Sequence, residues 1–201
     1  MKTAIFTAAV RRMVGTVGSA IGAAVLLGAW AAIPAMGMSP LKTNSRAPQF
    51  VTHTTSGSTL SLRSLRGKVV LVDFWATWCI PCRMSTPTIQ GLQNRFGSKG
   101  LKIVGLSLDE ADTRDHIPAY RKKYGVTYAL AYDPKANYAT SFAYKINLNP
   151  DTGEVLPNPV PPAVFVIDKR GRIRWSQIGY SEDEGKVLGS LIKKLLAEKG
   201  S

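Results

Sequence analysis

Lys68-Val-Val-Leu-Val-Asp-Phe-Trp-Ala-Thr-Trp-Cys-Ile-Pro-Cys-Arg-Met-Ser-Thr-Pro87 is the stretch whose reading decides the fold, and it holds both cysteines of the chain, Cys79 and Cys82. The run Val69 to Val72 is unbroken and mostly β-branched, the pattern of a strand buried on both faces of a sheet. After Cys82 the pattern becomes helical. A Cys-x-x-Cys at a strand-to-helix junction puts the first sulfur at the helix N-terminus, where free backbone amides and the positive end of the dipole favour thiolate over thiol. The second sulfur then lies one turn further in, shielded.

Such a pair is suited to being oxidised and reduced. Only a thiolate is nucleophilic, so Cys79, with a pKa lowered from about 8.5 toward roughly 3.5–7.5, would attack the disulfide of a partner. Cys82 would then attack Cys79 and release the reduced partner. Asp73 lies six residues before Cys79 among apolar neighbours. Burial there should raise its pKa, and a carboxyl so placed can accept and return the proton of Cys82.

Val-Asp-Phe-Trp-Ala-Thr-Trp-Cys-Ile-Pro-Cys-Arg, residues 72–83, resembles the active-site segment of the thioredoxin superfamily. Leu65-Arg66-Gly67-Lys68 leading into it resembles the TlpA/ResA-like, membrane-associated thiol-disulfide oxidoreductases. The likeness runs from about Ala47 to Leu196. It implies an α/β thioredoxin fold, three-layer α/β/α with a mixed central sheet, carrying a β-hairpin added at the N-terminus. It also implies that Cys79 and Cys82 form the redox-active disulfide, that Pro87 kinks the active-site helix, and that Pro162 is the cis-proline beside the dithiol. Trp78, Pro81, Pro161 and Ala163 would face the substrate. Two departures stand out: Ser85 occupies a position where many ResA-like proteins carry a glutamate, and Ala163 replaces the usual threonine after the cis-proline. Consecutive prolines at 161 and 162 also remove a backbone amide from that loop.

Upstream, Lys2, Arg11 and Arg12 precede Met13 to Leu41, which contains no charged residue, and its core Val14 to Ile33 is long enough to cross a bilayer. Basic residues before such a span keep the N-terminus in the cytoplasm and send the rest out. Residues 1–38 are therefore read as a signal-anchor or a cleaved signal peptide, 39–46 as a tether and 47–201 as the thioredoxin-like domain. Ala29-Trp30-Ala31 and Ala35-Met36-Gly37 both resemble cleavage sites, whereas the resemblance favours a retained anchor. The expected location is the cell envelope, on the periplasmic side of the inner membrane.

Along the domain, Phe50 to Leu62 alternates around Ser56-Gly57-Ser58 and predicts a hairpin. Leu101 to Leu108 and Val126 to Tyr132 predict strands, and Asp115 is placed to cap a helix ending before Gly125. Asn137 to Tyr144 predicts a short helix. Ala163 to Ile167 and Ile173 to Ile178 predict an antiparallel pair, and Glu182 to Leu196 an amphipathic helix. Ile146 to Val160 contains Asn149-Pro150-Asp151-Thr152-Gly153. It reads as an insertion that either overhangs the dithiol or is a surface hairpin. His53 and His116 read as surface residues.

Charge is strongly basic: 26 Lys and Arg against 13 Asp and Glu, with 23 of the basic residues beyond residue 40. No nucleic-acid motif accompanies them, and a solvated surface or one held near an anionic membrane suffices. Other functions fit less well. A thioredoxin-fold peroxidase needs a threonine three residues before its reactive cysteine, where Ala76 stands before Cys79. Copper delivery on this fold calls for a wider cysteine spacing, and a zinc site needs four ligands. A non-catalytic binding module would leave the Trp-Cys-x-x-Cys context without a purpose. The expected protein is a monomeric extracytoplasmic protein-disulfide reductase without metal or cofactor. It would be recharged by a membrane thiol carrier and act on protein disulfides, those of apocytochrome c among them. Ile80 and Pro81 place no cation between the sulfurs, which argues against a strong oxidant.

Overall fold

The computed structural model describes residues 43–133, 136–142 and 161–199. The N-terminal segment 1–38, the first part of the 39–46 tether and the 146–160 insertion lie outside them.

Strand β3 (Val69–Trp75) is buried at every residue and lies at the centre of a five-stranded sheet of order β5-β4-β3-β6-β7. It runs parallel to β4 (Leu101–Ser107), which pairs in parallel with β5 (Ala129–Tyr132). On its other side β6 (Ala163–Ile167) is antiparallel to it, and β7 (Ile173–Ile178) is antiparallel to β6. The sheet is therefore mixed. Its helices are α1 (Ile80–Phe96), α2 (Ile117–Tyr124), α3 (Asn137–Phe142) and α4 (Glu184–Ala197).

Alternation along β3 sorts its side chains onto two cores. Val69, Leu71 and Trp75 pack with Ile89, Leu92 and Phe96 of α1, Tyr120 of α2, and Leu188, Ile192 and Leu195 of α4. Val70, Val72 and Phe74 pack on the opposite side with Phe142 of α3, Phe165, and Phe50 and Leu62. Helices on both faces make the three layers of an α/β thioredoxin fold. The added hairpin is present as β1 (Val51–His53) and β2 (Thr59–Ser61), antiparallel, with Val51 opposite Ser61. It is a separate two-stranded sheet, tied to β5 through its turn, where the Thr55 amide donates to the Leu130 carbonyl at 2.8 Å. Close to the N-terminal limit of the described chain, the Asn44 amide donates to the Ile173 carbonyl at 2.7 Å.

Several boundaries differ from those the periodicity predicts. The strand expected from Val126 starts at Ala129, because its first amides are used elsewhere: Val126 donates to the Arg121 carbonyl at the end of α2, and Thr127 donates to Gln90 Oε1 at 2.9 Å. Gly125, with φ +61, makes the left-handed turn that closes α2. Asp115 does not cap that helix. Arg114–His116 instead form a single 3-10 turn and α2 begins at Ile117, with Pro118 in its first turn where no amide is needed. Helix α4 begins at Glu184 rather than Glu182.

The second core is held by an aromatic triad. Phe74, Phe142 and Phe165 sit with centroids 5.0–5.9 Å apart, two of the pairs edge-on. Phe165 is completely buried, so Phe165→Ala leaves a cavity the neighbours cannot close. Urea unfolding of this variant is expected to show a loss of about 3–5 kcal/mol.

Candidate active site

Strand β3 ends at Trp75, and within four residues the chain has turned into α1. Cys79 is the N-cap: its backbone is extended, and its sulfur accepts the amide of Cys82 at 3.1 Å. Pro81 occupies the first turn, where its missing amide costs nothing. Cys79 and Cys82 are joined in a disulfide with an S–S distance of 2.04 Å. Both are buried, at 4% and 2% exposure.

The approach to Cys79 is clamped from two directions. Asp109, just past β4, accepts the Thr77 amide at 3.0 Å and the Thr77 hydroxyl at 2.5 Å, and is itself held by the Ser107 hydroxyl at 2.8 Å. From the other side the Arg83 guanidinium donates to the Thr77 carbonyl at 2.8 Å. Around the sulfurs the surface is apolar and open: Trp78, Ile80 and Met84 are 54%, 68% and 52% exposed. A groove beside them is lined by Trp78, Arg83, His116, Tyr120 and Lys123.

Pro161 and Pro162 are joined by a cis peptide bond. Ala163 pairs with Phe74, so the two prolines stand at the end of β3 from which the chain leaves toward Cys79. Both prolines are buried, and the Pro162 carbonyl accepts the Gly179 amide at 2.8 Å. Pro87 lies inside α1, and its ring nitrogen has no proton to give the Arg83 carbonyl one turn back.

Asp73 shares the face of β3 that carries Leu71 and Trp75. It is fully buried, and its Oδ1 has no hydrogen-bond partner among the described residues. Burial first, and then the nearby charge of Glu184, push its pKa up from 3.8 to about 8. Glu184, the first residue of α4, is itself buried at 1% exposure and accepts the Ser85 hydroxyl at 2.7 Å. Burial raises its pKa, and the Ser85 hydrogen bond opposes that rise. Tyr120 lies against Trp75 with centroids 4.5 Å apart; its hydroxyl contacts Thr86 Oγ1 at 2.5 Å, and Thr86 in turn donates to the Cys82 carbonyl at 2.8 Å.

Cys79, Cys82, Trp78, Pro81, Pro161, Pro162 and Ala163 thus meet at one end of the central strand, with Asp73 beneath them in the core. Sequence reasoning passed over Asp109 and Glu184. Asp109 carried a signal, because a carboxylate just past the carboxyl end of a buried parallel strand lies where α/β sheets build their sites. Glu184 carried none, because helix periodicity ranks residues by apolar spacing. His53 and His116 are exposed, and among the described residues no three His, Cys, Asp or Glu gather as metal ligands.

A disulfide at an amide-rich helix start, with a titratable carboxyl below it, is equipped to exchange disulfides for thiols, and it sits here on a thioredoxin fold. Comparison with known proteins agrees. The family model described as Redoxin matches residues 42–191. Thiol-disulfide oxidoreductase ResA of Bacillus subtilis (strain 168) is 32% identical over 131 residues, 65% of this chain and 70% of that protein. ResA of Bacillus thuringiensis (strain Al Hakam) is 28% identical over 155 residues, 77% of this chain and 79% of that protein. The crystal structure of a candidate thiol:disulfide interchange protein DsbE from Chlorobium tepidum superposes with a TM-score of 0.65 at 25% identity, covering 78% of this chain and 99% of that one. The chain belongs to the Redoxin family and is a thiol-disulfide oxidoreductase of the thioredoxin superfamily.

Two outcomes follow from the buried carboxylates. Asp109→Ala leaves the buried Thr77 amide and hydroxyl without a partner, at about 1–3 kcal/mol per orphaned group, so urea denaturation should show at least that loss together with slower disulfide exchange. Asp73 binds its proton more tightly folded than unfolded, so its contribution is fully present below about pH 4. It is lost as pH rises toward about 8, through the window in which the unfolded chain has already ionised. Asp73→Asn should therefore match the parent's stability near pH 4 and exceed it by roughly 2–5 kcal/mol at pH 8.

Proposed function

We propose that the protein is an extracytoplasmic protein-disulfide reductase, tethered by its N-terminal segment, that draws electrons from a membrane thiol carrier. Its substrates are disulfides of exported proteins, apocytochrome c before haem attachment among them. The observation that carries this reading is the sulfur of Cys79 at the open end of α1, accepting a backbone amide with no cation between the two cysteines. Backbone amides alone favour the thiolate moderately. The extra charge that makes strong oxidants of this superfamily is missing.

In the reductive direction the Cys79 thiolate attacks one sulfur of the substrate disulfide and expels the other as a thiolate, leaving a mixed disulfide. The Cys82 thiol passes its proton to the Asp73 carboxylate and attacks the Cys79 sulfur. The substrate leaves with its second sulfur reduced, and the two electrons it has gained come from the two cysteines, which are left oxidised as the Cys79–Cys82 disulfide. Recharging reverses the chemistry: a carrier thiolate attacks Cys79, and Cys82 departs and takes back the proton held on Asp73. A second carrier thiol resolves the resulting mixed disulfide and frees Cys79.

Exposed Trp78, Ile80 and Met84 favour a protein over a small polar disulfide, because they offer apolar contact around the sulfurs. Pro162 is the residue beside which the substrate backbone would lie, with Pro81, Pro161 and Ala163 completing the wall. The uncharged span Met13 to Leu41 supports the tether and the export. Among the described residues no helix is long and apolar enough to cross a membrane. A single domain working as a monomer is sufficient for every step.

Insulin reduction should be lost in Cys79→Ser, whereas Cys82→Ser should accumulate the mixed disulfide with substrate. Redox equilibration against glutathione should place the dithiol well below the roughly −120 mV of the strongest oxidants. A value near that figure reverses the direction of electron flow.

A further inference from the structure

Two carboxyl groups lie in the first core, and the exchange chemistry uses only one of them. Glu184 reaches the site from α4, a distant part of the chain. Its Oε2 accepts the hydroxyl of Ser85, which lies three residues beyond Cys82 on α1, and its Oε1 is buried with no partner among the described residues. Asp73 presents an equally unpartnered Oδ1 from the strand beneath the same two helices. A buried carboxylate with half its hydrogen-bonding capacity unmet is destabilising, and a glutamine or leucine would fill the same volume without a charge. A role in the chemistry accounts for its presence better than packing does.

We propose that Glu184, held by Ser85, is a positioning residue that acts through Asp73: its negative charge keeps the proton on Asp73 until the departing Cys82 sulfur takes it. This rests on Asp73 being the acid and base for Cys82. The pair cannot readily carry two negative charges in the same dry space. Ser85 stabilises charge on Glu184, so Glu184 ionises first, and while the disulfide is closed Asp73 retains its proton at neutral pH. The proton transfer needs no other partner: it leaves Asp73 Oδ for Cys82 Sγ when the disulfide opens and returns when the disulfide forms.

The remaining charged and titratable groups around the pair do not supply this function. On α1 the Arg83 guanidinium is engaged with the Thr77 carbonyl at the rim. Tyr120 of α2 is pushed up to about 12 and Tyr128, ahead of β5, well above its ordinary value, both chiefly by burial. Neither phenol titrates where a thiol works. Tyr124 is half-buried behind Tyr120, and Glu182 and Asp183 before α4 are exposed. From β4, β6 and β7, the residues toward this core are Leu101, Ile103, Gly105, Val164, Val166 and Trp175, none of which ionises.

The test is the rate at which dithiothreitol opens the disulfide of the full-length oxidised protein, corrected for its thiolate concentration, as a function of pH. In the parent this corrected rate should fall above an inflection near pH 8, where Asp73 has lost the proton that Cys82 needs. Glu184→Gln keeps the shape and a hydrogen bond to Ser85 and should move the inflection down by about one unit, making the rate near pH 8 several-fold slower. Asp73→Asn should abolish the inflection. An inflection abolished by Asp73→Asn yet unmoved by Glu184→Gln overturns the role of Glu184 alone. One that survives in Asp73→Asn overturns the reading of Asp73 and this proposal with it. Should Glu184→Gln not fold, carboxyl carbon-13 resonances of the unaltered protein decide: both carbons showing two shared titration steps supports the pair, and two independent single steps refute it.

Discussion

Placing a carboxyl group in the middle of a strand that is buried from end to end is the constraint around which this molecule is arranged. Asp73 cannot be accommodated as an anion without water or donors, so its surroundings decide when it is charged. The register of the sheet sets those surroundings, with Gly105 on one neighbouring strand and Val164 on the other. Position 105 must lack a side chain. A Cβ there would stand 2.8 Å from Leu130 Cδ2 and 2.9 Å from Trp75 Nε1, pushing the indole off Tyr120 and disturbing the layer between Asp73 and α2.

The two faces of the sheet divide structural work from chemistry. Beneath α3 and the N-terminal hairpin the core is almost wholly apolar, with three phenylalanines in mutual contact. Beneath α1 and α4 the core contains two carboxyl groups, a disulfide, and tyrosine and threonine hydroxyls in contact with one another. A core with so many polar groups contributes less to stability for its volume.

The parts of the fold visible in the sequence are those dictated by local pattern. Val69 to Val72, Ala163 to Ile167, Ile173 to Ile178 and the hairpin about Gly57 all stand where alternation or an unbroken β-branched run puts them. Cys79, Cys82 and the prolines at 161 and 162 were legible for the same reason, since each lies inside a short motif. What escaped depends on contacts between distant segments. Val126 and Thr127 look like strand residues, yet their amides are committed to Arg121 and Gln90. Ser85 reads as the loss of an acid from α1, and nothing nearby reveals that a carboxylate arrives from 99 residues away to accept its hydroxyl. Periodicity finds the side of α4 that packs, and Glu184, on that side, is the residue such a scale discounts.

One helix treats its two sulfurs in opposite ways. At Cys79 the first turn of α1 offers free amides, one of them at 3.1 Å from the sulfur, so a negative charge there is stabilised by fixed dipoles that need no reorganisation. Cys82 lies within the helix at 2% exposure, where its own amide is already given to Cys79 and its carbonyl accepts the Thr86 hydroxyl. Cys82 is therefore screened both from solvent and from the free amides that Cys79 meets. The backbone accordingly sets the two sulfurs apart, and in the proposed mechanism the buried carboxyl group of Asp73 times the second. Both follow from a strand ending under a helix start, which is why a motif of four residues carries so much of the chemistry.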